Sequence, residues 1–550
     1  MGDCAASPLV TVSRGNHMSH DARFTRRGLL AAGFGAAGLA ALAACSSDSP
    51  NSGGTATPGT SGSSGSTAAS GSTTPTTSAK GGTLRFGFTG GSPTDSLDLS
   101  TQVGNYGIAA AKQMSAGLVT RKGTERFNIL ADEIDIESPT SIVVRLRQGL
   151  EFHNGKSVTA SDVLASFIRM VDPKALTAPA PFLADMDIAS SKVVDDLTVR
   201  FVLSKPNAFF ATDGFAHNLL AIYPDGKWDP ANPVGCGPWK STSFVAGERA
   251  EFVRFENYFD PPLLDGLVVQ NFADVTSMVN ALTGGSIDAI GAVPAAQARA
   301  LGSGFQVLKS DTGGYGAFVM DASKAPFDDP RVRMAFRLIA DRPGLLTQLQ
   351  DGEGKVGNDL HSPFDPVYIG DDIEQRVQDL DKAKSLLKEA GQEGLTVDIA
   401  VSQFVANAEV AFAEQARAAG VTINVNQVDP SAYLTQHYGQ DSLYFTLWPD
   451  TTYSGQIASS LAPGAFYPEG NWVNEEFQSL WSDAKLDVDD ASRAEKLKKM
   501  QQIYWDEGPH LIYAFTEEID ATAANVAGGE AGSSGFPFSY FDFTKVYFTS

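Results

Sequence analysis

Two groups of residues near the N-terminus have types and spacing that suit a covalent modification. Arg26 and Arg27 precede a run rich in glycine, alanine and leucine, and that run ends at Leu-Ala-Ala-Cys, residues 42–45. Paired arginines before a short apolar run are typical of a twin-arginine export signal, and small residues before a cysteine are typical of a lipobox. The pattern predicts that residues 1–44 are a signal peptide, and that lipid is attached to the Cys45 thiol after cleavage.

A membrane-spanning helix is the weaker interpretation of residues 28–44. This run contains four glycines and no basic residue follows it closely, whereas a spanning helix needs about 20 predominantly apolar residues. The arginine pair lies far from Met1, and translation from Met18 would give a more usual signal length. Both translation starts therefore remain open.

Residues that catalyse reactions or hold metals are sparse in the rest of the chain. The histidines have no metal-ligand spacing between them, and no Cys-x-x-Cys occurs. There is also no Gly-x-Ser-x-Gly nucleophile elbow and no phosphate-binding loop. We expect no catalytic residue, no metal site and no cofactor, and a secreted hydrolase is a remote alternative. The histidines beyond the signal are His153, His217, His361, His437 and His510.

Cys236 is the only cysteine that follows Cys45. A disulfide within the body of the protein is therefore excluded, although an exported protein would meet an oxidising compartment. Cys236 lies between two glycines, and we interpret it as a small packed residue and not as a nucleophile.

Residues 45–79 differ sharply in composition from the rest of the chain. They are almost entirely serine, threonine, glycine, alanine and proline, and Asp48 is their only acidic residue. Such a segment buries too little apolar surface to offset its ordering entropy. We predict a disordered tether with a root-mean-square reach of about 30 Å, whose composition would permit but does not require O-glycosylation.

The remaining chain, residues 80–550, is too long for one ordinary hydrophobic core and predicts two or three lobes. The sequence is 43% hydrophobic and 10% aromatic, as in globular proteins, and its formal net charge is −23. An acidic body argues against nucleic acid or an anionic membrane surface as a partner. We expect a monomer.

Strand and helix patterns alternate along this body. Residues 83–88 and 141–147 alternate between apolar and polar side chains like half-buried strands. Thr159 is placed to cap a helix with an apolar stripe, and Asp329 followed by proline begins another. Further predicted elements are a helix at 381–390, strands at 395–401, 421–428 and 442–448, and helices at 405–419 and 430–438.

Several motifs resemble those of solute-binding protein family 5, the peptide- and nickel-binding components of ABC importers. Residues 146–155, Leu-Arg-Gln-Gly-Leu-Glu-Phe-His-Asn-Gly, followed by Thr-Ala-Ser-Asp-Val at 159–163, resemble its signature region. Residues 232–239, 325–333 and 381–387 resemble its Pro-Val-Gly-x-Gly-Pro turn and two of its helix starts. The order of these motifs carries the resemblance, which covers essentially all of the body.

The resemblance implies an α/β fold of class II, a two-lobed periplasmic-binding-protein-like clamp with an extra domain. Lobe I would comprise 81–118, 204–270 and 515–550, the extra domain 119–203, and lobe II 271–514. The ligand would lie in the interlobe cleft, and the lobes would close around it by a hinge motion. His153, which lies in the signature region, would hold a turn of the extra domain and not contact ligand.

The resemblance also implies a ligand site. Family members that bind peptides commonly pair a lobe II aspartate with the ligand's α-ammonium, just after a strand that contains tryptophan. Here that strand ends at Trp448 and Asp450 follows it, but Pro449 departs from the family pattern. A turn residue is the alternative role for Asp450. Further cleft residues would be Asn105, Tyr106, Tyr315, Gly316, Phe318 and Tyr453, each of which could instead be core.

Peptides are the first choice of cargo, and a metal chelate, haem, siderophore or other non-peptide solute is the alternative. The expected partners are a membrane-embedded ABC permease and the lipid anchor at Cys45. The expected location is the outer face of the cytoplasmic membrane, at a cell surface or in a periplasm. A surface-tethered sensor or chaperone that never meets a permease is a further alternative.

Overall fold

The computed structural model describes residues 78–549, apart from residues 80, 103, 123–124, 176, 403–405, 430–431 and 466. The predicted signal peptide at 1–44, the lipid site Cys45 and most of the predicted tether at 45–79 lie outside the described residues. Ser78 and Ala79, the last two residues of that predicted tether, instead form a short strand with the end of the chain. Their pairing uses backbone hydrogen bonds only, which composition does not reveal.

The β-strands are short except for two. They are β1 (Ser78–Ala79), β2 (Thr83–Thr89), β3 (Val119–Lys122), β4 (Glu125–Asn128), β5 (Ala131–Ser138), β6 (Ser141–Leu146), β7 (Lys192–Asp195), β8 (Thr198–Val202), β9 (Trp239–Val245), β10 (Arg249–Arg254), β11 (Gly266–Phe272), β12 (Ala289–Ile290), β13 (Phe305–Met320), β14 (Lys355–Val356), β15 (Thr396–Ser402), β16 (Thr422–Val428), β17 (Leu443–Trp448), β18 (His510–Ala523), β19 (Val526–Ala527) and β20 (Tyr547–Thr549).

Helices lie between these strands. They are α1 (Asn105–Met114), α2 (Ala160–Val171), α3 (Val275–Thr283), α4 (Ala295–Ala300), α5 (Pro330–Ile339), α6 (Arg342–Gln350), α7 (Leu380–Glu389), α8 (Ala406–Ala418), α9 (Tyr453–Gln456), α10 (Glu475–Leu486) and α11 (Asp490–Glu507). Shorter helical turns occur between them, among them a π-helical turn at Phe210–Gly214.

The largest sheet joins the two ends of the molecule. Its strands lie in the order β17-β13-β18-β12-β2-β11-β10-β9, with β14 also paired to β18. The long antiparallel strands β13 and β18 pair along almost their whole length, and the register shifts between Asp311 and Tyr315. One half of this pair lies beside β12, which in turn pairs with β2, and the other half lies beside β17. Two continuous strands therefore connect two separate cores.

Each part has its own hydrophobic core. The lobe I core contains Phe86, Tyr106 and Trp239, and the lobe II core contains Phe318 and Phe412. At about 25 cal/mol per Å² of apolar surface, fully burying one such side chain stabilises the fold by about 1.5–3 kcal/mol. A third core, in the extra domain, lies between α2 and the four-stranded sheet β5-β6-β8-β7.

Helix α2 shows why a helix forms where the sequence predicts one. The Thr159 hydroxyl accepts a hydrogen bond from the Asp162 N–H, and the Asp162 carboxylate accepts one from the Thr159 N–H at 3.0 Å. This capping box satisfies backbone donors that the first turn leaves unpaired. Val163 and Phe167 of the predicted apolar stripe face the core, but Ile168, which follows at helical spacing, is 46% exposed.

The capping prediction at Asp329 is also confirmed. Helix α5 begins at Pro330, and the Asp329 carboxylate accepts a hydrogen bond from the Arg331 N–H at 2.8 Å. Farther on, the described part of the predicted helix at 430–438 contains a shorter helical segment, a π-helical turn at Tyr433–His437. Strands β15 and β16 form a parallel pair of their own, while β17 joins the large sheet.

Two segments pack in a different core from the one that the resemblance implies. Met278 and Leu282 of α3 cluster with β18, and β12 pairs with β2, although 271–514 is the predicted range of lobe II. Phe210 and Phe215 lie in the extra-domain core, although 204–270 is assigned to lobe I. For β12 the cause is strand pairing with residues about two hundred positions away, which local patterns do not report. For Phe215 it is ring packing on Phe167 and Phe201. The exact lobe boundaries stay predictions.

No helix among the described residues is long and apolar enough to cross a membrane. Within the same residues, no group of three or more histidine, cysteine, aspartate or glutamate side chains is arranged to hold a metal ion.

Candidate ligand cavity

A cavity of about 710 Å³ opens between the extra domain, lobe II and the C-terminal segment. Segments 180–185 and 205–218 of the chain form one side of it, and segment 448–465 forms the other. The C-terminal segment closes one end through Phe536 and Tyr540. This is the volume of a small-molecule or short-peptide site, since ligand pockets commonly measure about 300–1,000 Å³.

Aromatic rings line much of the cavity and join its two sides. The ring of Phe209, from the extra-domain side, stacks on Trp481 of α10 with ring centroids 5.3 Å apart and an angle of 17° between the planes. The Ala208 N–H donates a hydrogen bond to the Lys485 carbonyl oxygen at 2.9 Å. The two sides therefore contact each other directly at the edge of the cavity.

Asp450 is the most unusual polar group of the cavity wall. It follows β17 and Pro449, and its side chain is 6% exposed. Neither of its carboxylate oxygens makes a well-aligned hydrogen bond with any described residue. Burial raises the pKa of Asp450 to about 7, although the positive charge of Arg121 opposes this and Asp365 adds to it. A buried carboxylate with no partner is costly unless a ligand supplies one.

A second carboxylate, that of the partly buried Asp213, lines the cavity from the other side. Asp213 accepts hydrogen bonds from the Thr452 hydroxyl at 2.8 Å and the Ser454 hydroxyl at 2.7 Å. Burial raises its pKa, and these two hydroxyls and Arg121 counteract the rise only in part. The contact joins the extra-domain side to lobe II, and Arg121 and Asp365 act on both Asp213 and Asp450.

Trp448 is held in place by a buried polar network. Its indole N–H donates to Glu469 at 3.1 Å, and the same carboxylate accepts hydrogen bonds from the Thr446 hydroxyl at 2.6 Å and the His510 Nε2 at 2.9 Å. The Tyr438 hydroxyl donates to it at 2.7 Å. Because Glu469 is fully enclosed by donors, the indole is fixed as a rigid part of the cavity wall.

Tyr540 reaches the cavity from an unusual backbone. Residues 538–541 all have positive φ angles, from 50° to 75°, although none is glycine. The Asp520 carboxylate accepts a hydrogen bond from the Phe538 N–H at 2.7 Å, and the Gln113 amide donates to the Phe541 carbonyl oxygen at 3.1 Å. Each residue in the left-handed conformation costs roughly 1–2 kcal/mol. The hydrogen bonds with Asp520 and Gln113 therefore stabilise a strained turn.

Of the residues predicted from the sequence, Trp448 and Asp450 line the cavity. Tyr453 begins α9, and its side chain is fully buried in a lobe II cluster beside Trp481. Asn105 and Tyr106 begin α1, where the Tyr106 hydroxyl donates to a backbone carbonyl in the lobe I core.

The three predicted residues on β13 also point into packed surroundings. Tyr315 is 2% exposed and Phe318 packs on the rings of Phe412 and Phe445. A side chain at Gly316 would approach the Phe445 ring within 2.6 Å. Neither these three nor Tyr453, Asn105 and Tyr106 line the described cavity, and the roles of all six as ligand contacts stay predictions.

Sequence reasoning missed the contribution of the extra domain. Arg121, Phe209, Asp213 and His217 all line the cavity and come from its hairpin or from the loops that follow it. No local motif marks them, because their common position depends on the packing of the extra domain against lobe II.

His153 and Cys236 lie outside the cavity. The His153 Nε2 lies 3.0 Å from the Gly237 carbonyl oxygen, and burial lowers the pKa of its imidazole to about 4. Cys236 is buried, and its surroundings raise the pKa of its thiol to about 12. A thiol that stays protonated is a poor nucleophile, which agrees with a packing role.

Comparison with known proteins shows which family and which proteins this chain resembles. Residues 128–462, more than half of the chain, match the family model described as bacterial extracellular solute-binding proteins, family 5 middle. The chain is 26% identical over 504 residues to the glutathione-binding protein GsiB of Pectobacterium atrosepticum, covering 83% of this chain and 92% of that protein. It is also 26% identical over 467 residues to di/tripeptide-binding protein 2 of Pseudomonas aeruginosa, covering 76% and 85%.

A solved structure gives the same architecture. The periplasmic binding protein DppA of Helicobacter pylori, in complex with the peptide STSA, aligns with a TM-score of 0.71 at 22% identity, covering 86% of this chain and 99% of that one. The likeness confirms the predicted two-lobed class II clamp with its extra domain. Members of the matched family are transport components without enzymatic activity, which agrees with the absence of catalytic motifs from the sequence. This chain belongs to the bacterial extracellular solute-binding proteins of family 5.

Proposed function

We propose that this protein captures short peptides outside the cell membrane and delivers them to an ABC permease. The observation that carries the proposal is the buried carboxylate of Asp450 in the wall of the cavity, which receives no well-aligned hydrogen bond among the described residues and has only the neighbouring Thr451 N–H acting on it as a donor. A peptide's α-ammonium group would supply the missing donors, and a charge-assisted hydrogen bond of this kind is roughly twice as strong as a neutral one.

The surroundings of Asp450 support a cationic group at this point. Asp365 adds negative charge near Asp450, while Arg121 is the cation that acts on both Asp213 and Asp450. Aromatic side chains such as Trp448 and Phe209 offer apolar surface that can contact the rest of the ligand without selecting for particular side chains. The relatives named for glutathione and for di- and tripeptides also favour short peptides as cargo.

Closure of the two lobes is part of the proposal. Strands β13 and β18 are continuous between the lobes, and their register shifts near Asp311. Phe209 and Asp213 are the groups that bring the extra-domain side onto lobe II. Ligand bound between these surfaces would favour the closed state by its greater affinity for that state.

The pH dependence of binding follows from the raised pKa of Asp450. The unliganded carboxyl has a pKa of about 7, so below that pH it must lose a proton before it can accept the ammonium. A peptide's own amine, with a pKa of about 7.7–8.0, loses its charge above that range. We expect peptide affinity to be greatest between these values and to fall up to tenfold per pH unit on the acidic side. Calorimetric titration from about pH 5 to about pH 9 would measure this, and an affinity that rises steadily toward the acidic end would contradict it.

Lipid anchoring through Cys45 is proposed from the sequence pattern. Replacing Cys45 with serine removes the thiol that would carry lipid, so most of the protein should move from the membrane fraction to the soluble exported fraction. Cys4→Ser is the matched control, since it removes a cysteine from the same leader and should change nothing. If the Cys45→Ser protein stays with the membranes, the lipobox interpretation fails.

The delivery step is tested by transport. Cells that lack this protein, or that lack the permease it serves, should take up a labelled tripeptide more slowly, and the protein itself should return bound peptide unchanged and at one molecule per chain. Binding that persists without any effect on uptake would favour a sensor or chaperone, and cleaved peptide would favour a hydrolase.

A further inference from the structure

Arg121 is a cation of the cavity wall. It lies on β3 and lines the cavity from the extra-domain side. Its guanidinium donates a hydrogen bond to the backbone carbonyl oxygen of Asp450 at 3.3 Å. No ion pair between Arg121 and a carboxylate occurs among the described residues, whereas Lys122 beside it is paired with Glu530 at 3.1 Å.

Arg121 and the Asp450 carboxylate lie close together without pairing. The arginine is near enough for its charge to act on Asp450 and Asp213, yet the Asp450 oxygens receive no well-aligned hydrogen bond from it. An arginine and a carboxylate that meet in a dry site normally form a bidentate pair. Asp185, Asp213, Lys205 and Lys485 also line the cavity. At this point of its wall, however, Arg121 and the Asp450 carboxylate lie side by side, and each still has hydrogen-bonding capacity to offer.

His217 adds an uncharged donor on the arginine side. Its Nδ1 accepts a hydrogen bond from the Leu219 N–H at 3.3 Å, so the proton of the neutral ring lies on Nε2. Burial lowers the pKa of His217 to about 4, with a further contribution from Arg121, so the ring is neutral at physiological pH. The imidazole packs on Phe182 with ring centroids 4.4 Å apart and also lines the cavity.

We infer that the preferred ligand has an α-amino-acid head group, whose ammonium binds Asp450 and whose carboxylate, on the same carbon, binds Arg121. This inference rests on the proposed function, because it uses Asp450 as the ammonium partner. The rest of the ligand would be attached through the head group's side chain, as in a γ-glutamyl peptide. An ordinary α-linked peptide has an amide in place of that carboxylate and would leave Arg121 without an anion.

A matched pair of ligands isolates the head-group carboxylate. γ-Glutamyl-alanyl-glycine and 4-aminobutyryl-alanyl-glycine differ only in that group, and both keep a free amine. The purified protein should bind the first about 10- to 100-fold more tightly, the range for a hydrogen bond between charged groups. In the Arg121→Gln variant this ratio should fall to within about threefold, because glutamine carries no charge.

The control variant is Arg126→Gln. Arg126 lies opposite Arg121 in the β3–β4 hairpin, is exposed and does not line the cavity. It should keep the full preference. Arg121→Lys, which retains the charge but not the planar fork, should restore part of it.

The outcomes separate this inference from the proposal on which it depends. If the wild-type protein binds both ligands with equal affinity, and no longer binds either of them once its amine is acetylated, the Arg121 inference is overturned. Recognition of the ammonium group then still stands. If N-acetylation changes neither affinity, the role of Asp450 fails as well. If Arg121→Gln weakens both ligands to the same degree, Arg121 acts only on the structure of the cavity and the inference is again overturned.

Discussion

Replacing Asp450 with asparagine is expected to weaken the binding of free-amine peptides by about 1.5–3 kcal/mol, or roughly 10- to 150-fold. The substitution keeps the shape of the side chain and removes the charge that faces the ammonium. N-acetylated peptides, which bring no charge to this position, should lose little or nothing. The fall in affinity at acidic pH should also disappear, because asparagine has no carboxyl to titrate near neutrality.

Isothermal titration of both proteins with one tripeptide and its N-acetyl derivative would measure this effect. Glu409→Gln is a matched control, because Glu409 is a buried carboxyl with no hydrogen-bond partner among the described residues and with a pKa raised by burial to about 8. It lies on α8, away from the cavity. If Asp450→Asn binds free-amine peptides like the wild type, then Asp450 has the turn role and not the ligand role.

Replacing Asp359 with alanine is expected to cost about 3–5 kcal/mol of unfolding free energy, the scale for breaking a buried ion pair. Asp359 is fully buried, pairs with Arg342 through both oxygens at 2.8 Å, and also pairs with Arg376. It accepts a further hydrogen bond from the Ile512 N–H at 3.0 Å. Burial opposes its ionisation, but the arginines outweigh burial and hold its pKa below the usual value.

The cost follows from what alanine would leave behind. Arg337 is also buried nearby, and desolvation followed by the charge of Arg376 lowers its pKa to about 9. Without Asp359, this group of arginines would keep backbone carbonyl partners, chiefly at the end of α11, and the contact of Arg376 with the Trp505 ring, but no anion among the described residues. Buried cations without a counter-charge destabilise the fold strongly.

Urea unfolding of the variant and the wild type gives this free-energy difference. Asp371→Ala is the comparison, since Asp371 pairs with Lys355 at 2.9 Å on the surface, where such pairs contribute about 0–1 kcal/mol. If Asp359→Ala is no more destabilising than Asp371→Ala, the buried arginine cluster does not depend on this carboxylate.

The elements that the sequence predicts well are those fixed by local chemistry. The capping box at Thr159 and the Asp329-Pro330 start require only residues within one helical turn, and both helices begin where expected. The alternating strands at 83–88 and 141–147 likewise appear as β2 and β6. Family motifs then give the clamp architecture, which no periodicity alone would reveal.

Parts of the candidate site could not be predicted from the sequence, because apolar and aromatic residues show the same sequence pattern in a hydrophobic core and in a cavity wall. Tyr315 and Phe318 fit either environment, and only packing shows that they lie in cores. Arg121 and Asp213 reach the cavity through contacts between the extra domain and lobe II, residues more than two hundred positions apart. Asp450, by contrast, could be proposed because it lies two residues after the tryptophan that ends a strand, the position that the family resemblance indicates.

The most direct test of peptide capture is a thermal melt of the purified protein, first unfolded and refolded to remove any carried ligand. It would be melted with a pool of short peptides and with the same pool N-acetylated. A ligand at about 100 times its dissociation constant adds about 2.7 kcal/mol to the stability of the state that binds it. We predict that the free-amine pool raises the melting temperature and that the acetylated pool does not. No shift with either pool, or equal shifts with both, would contradict recognition of a peptide ammonium in this cavity.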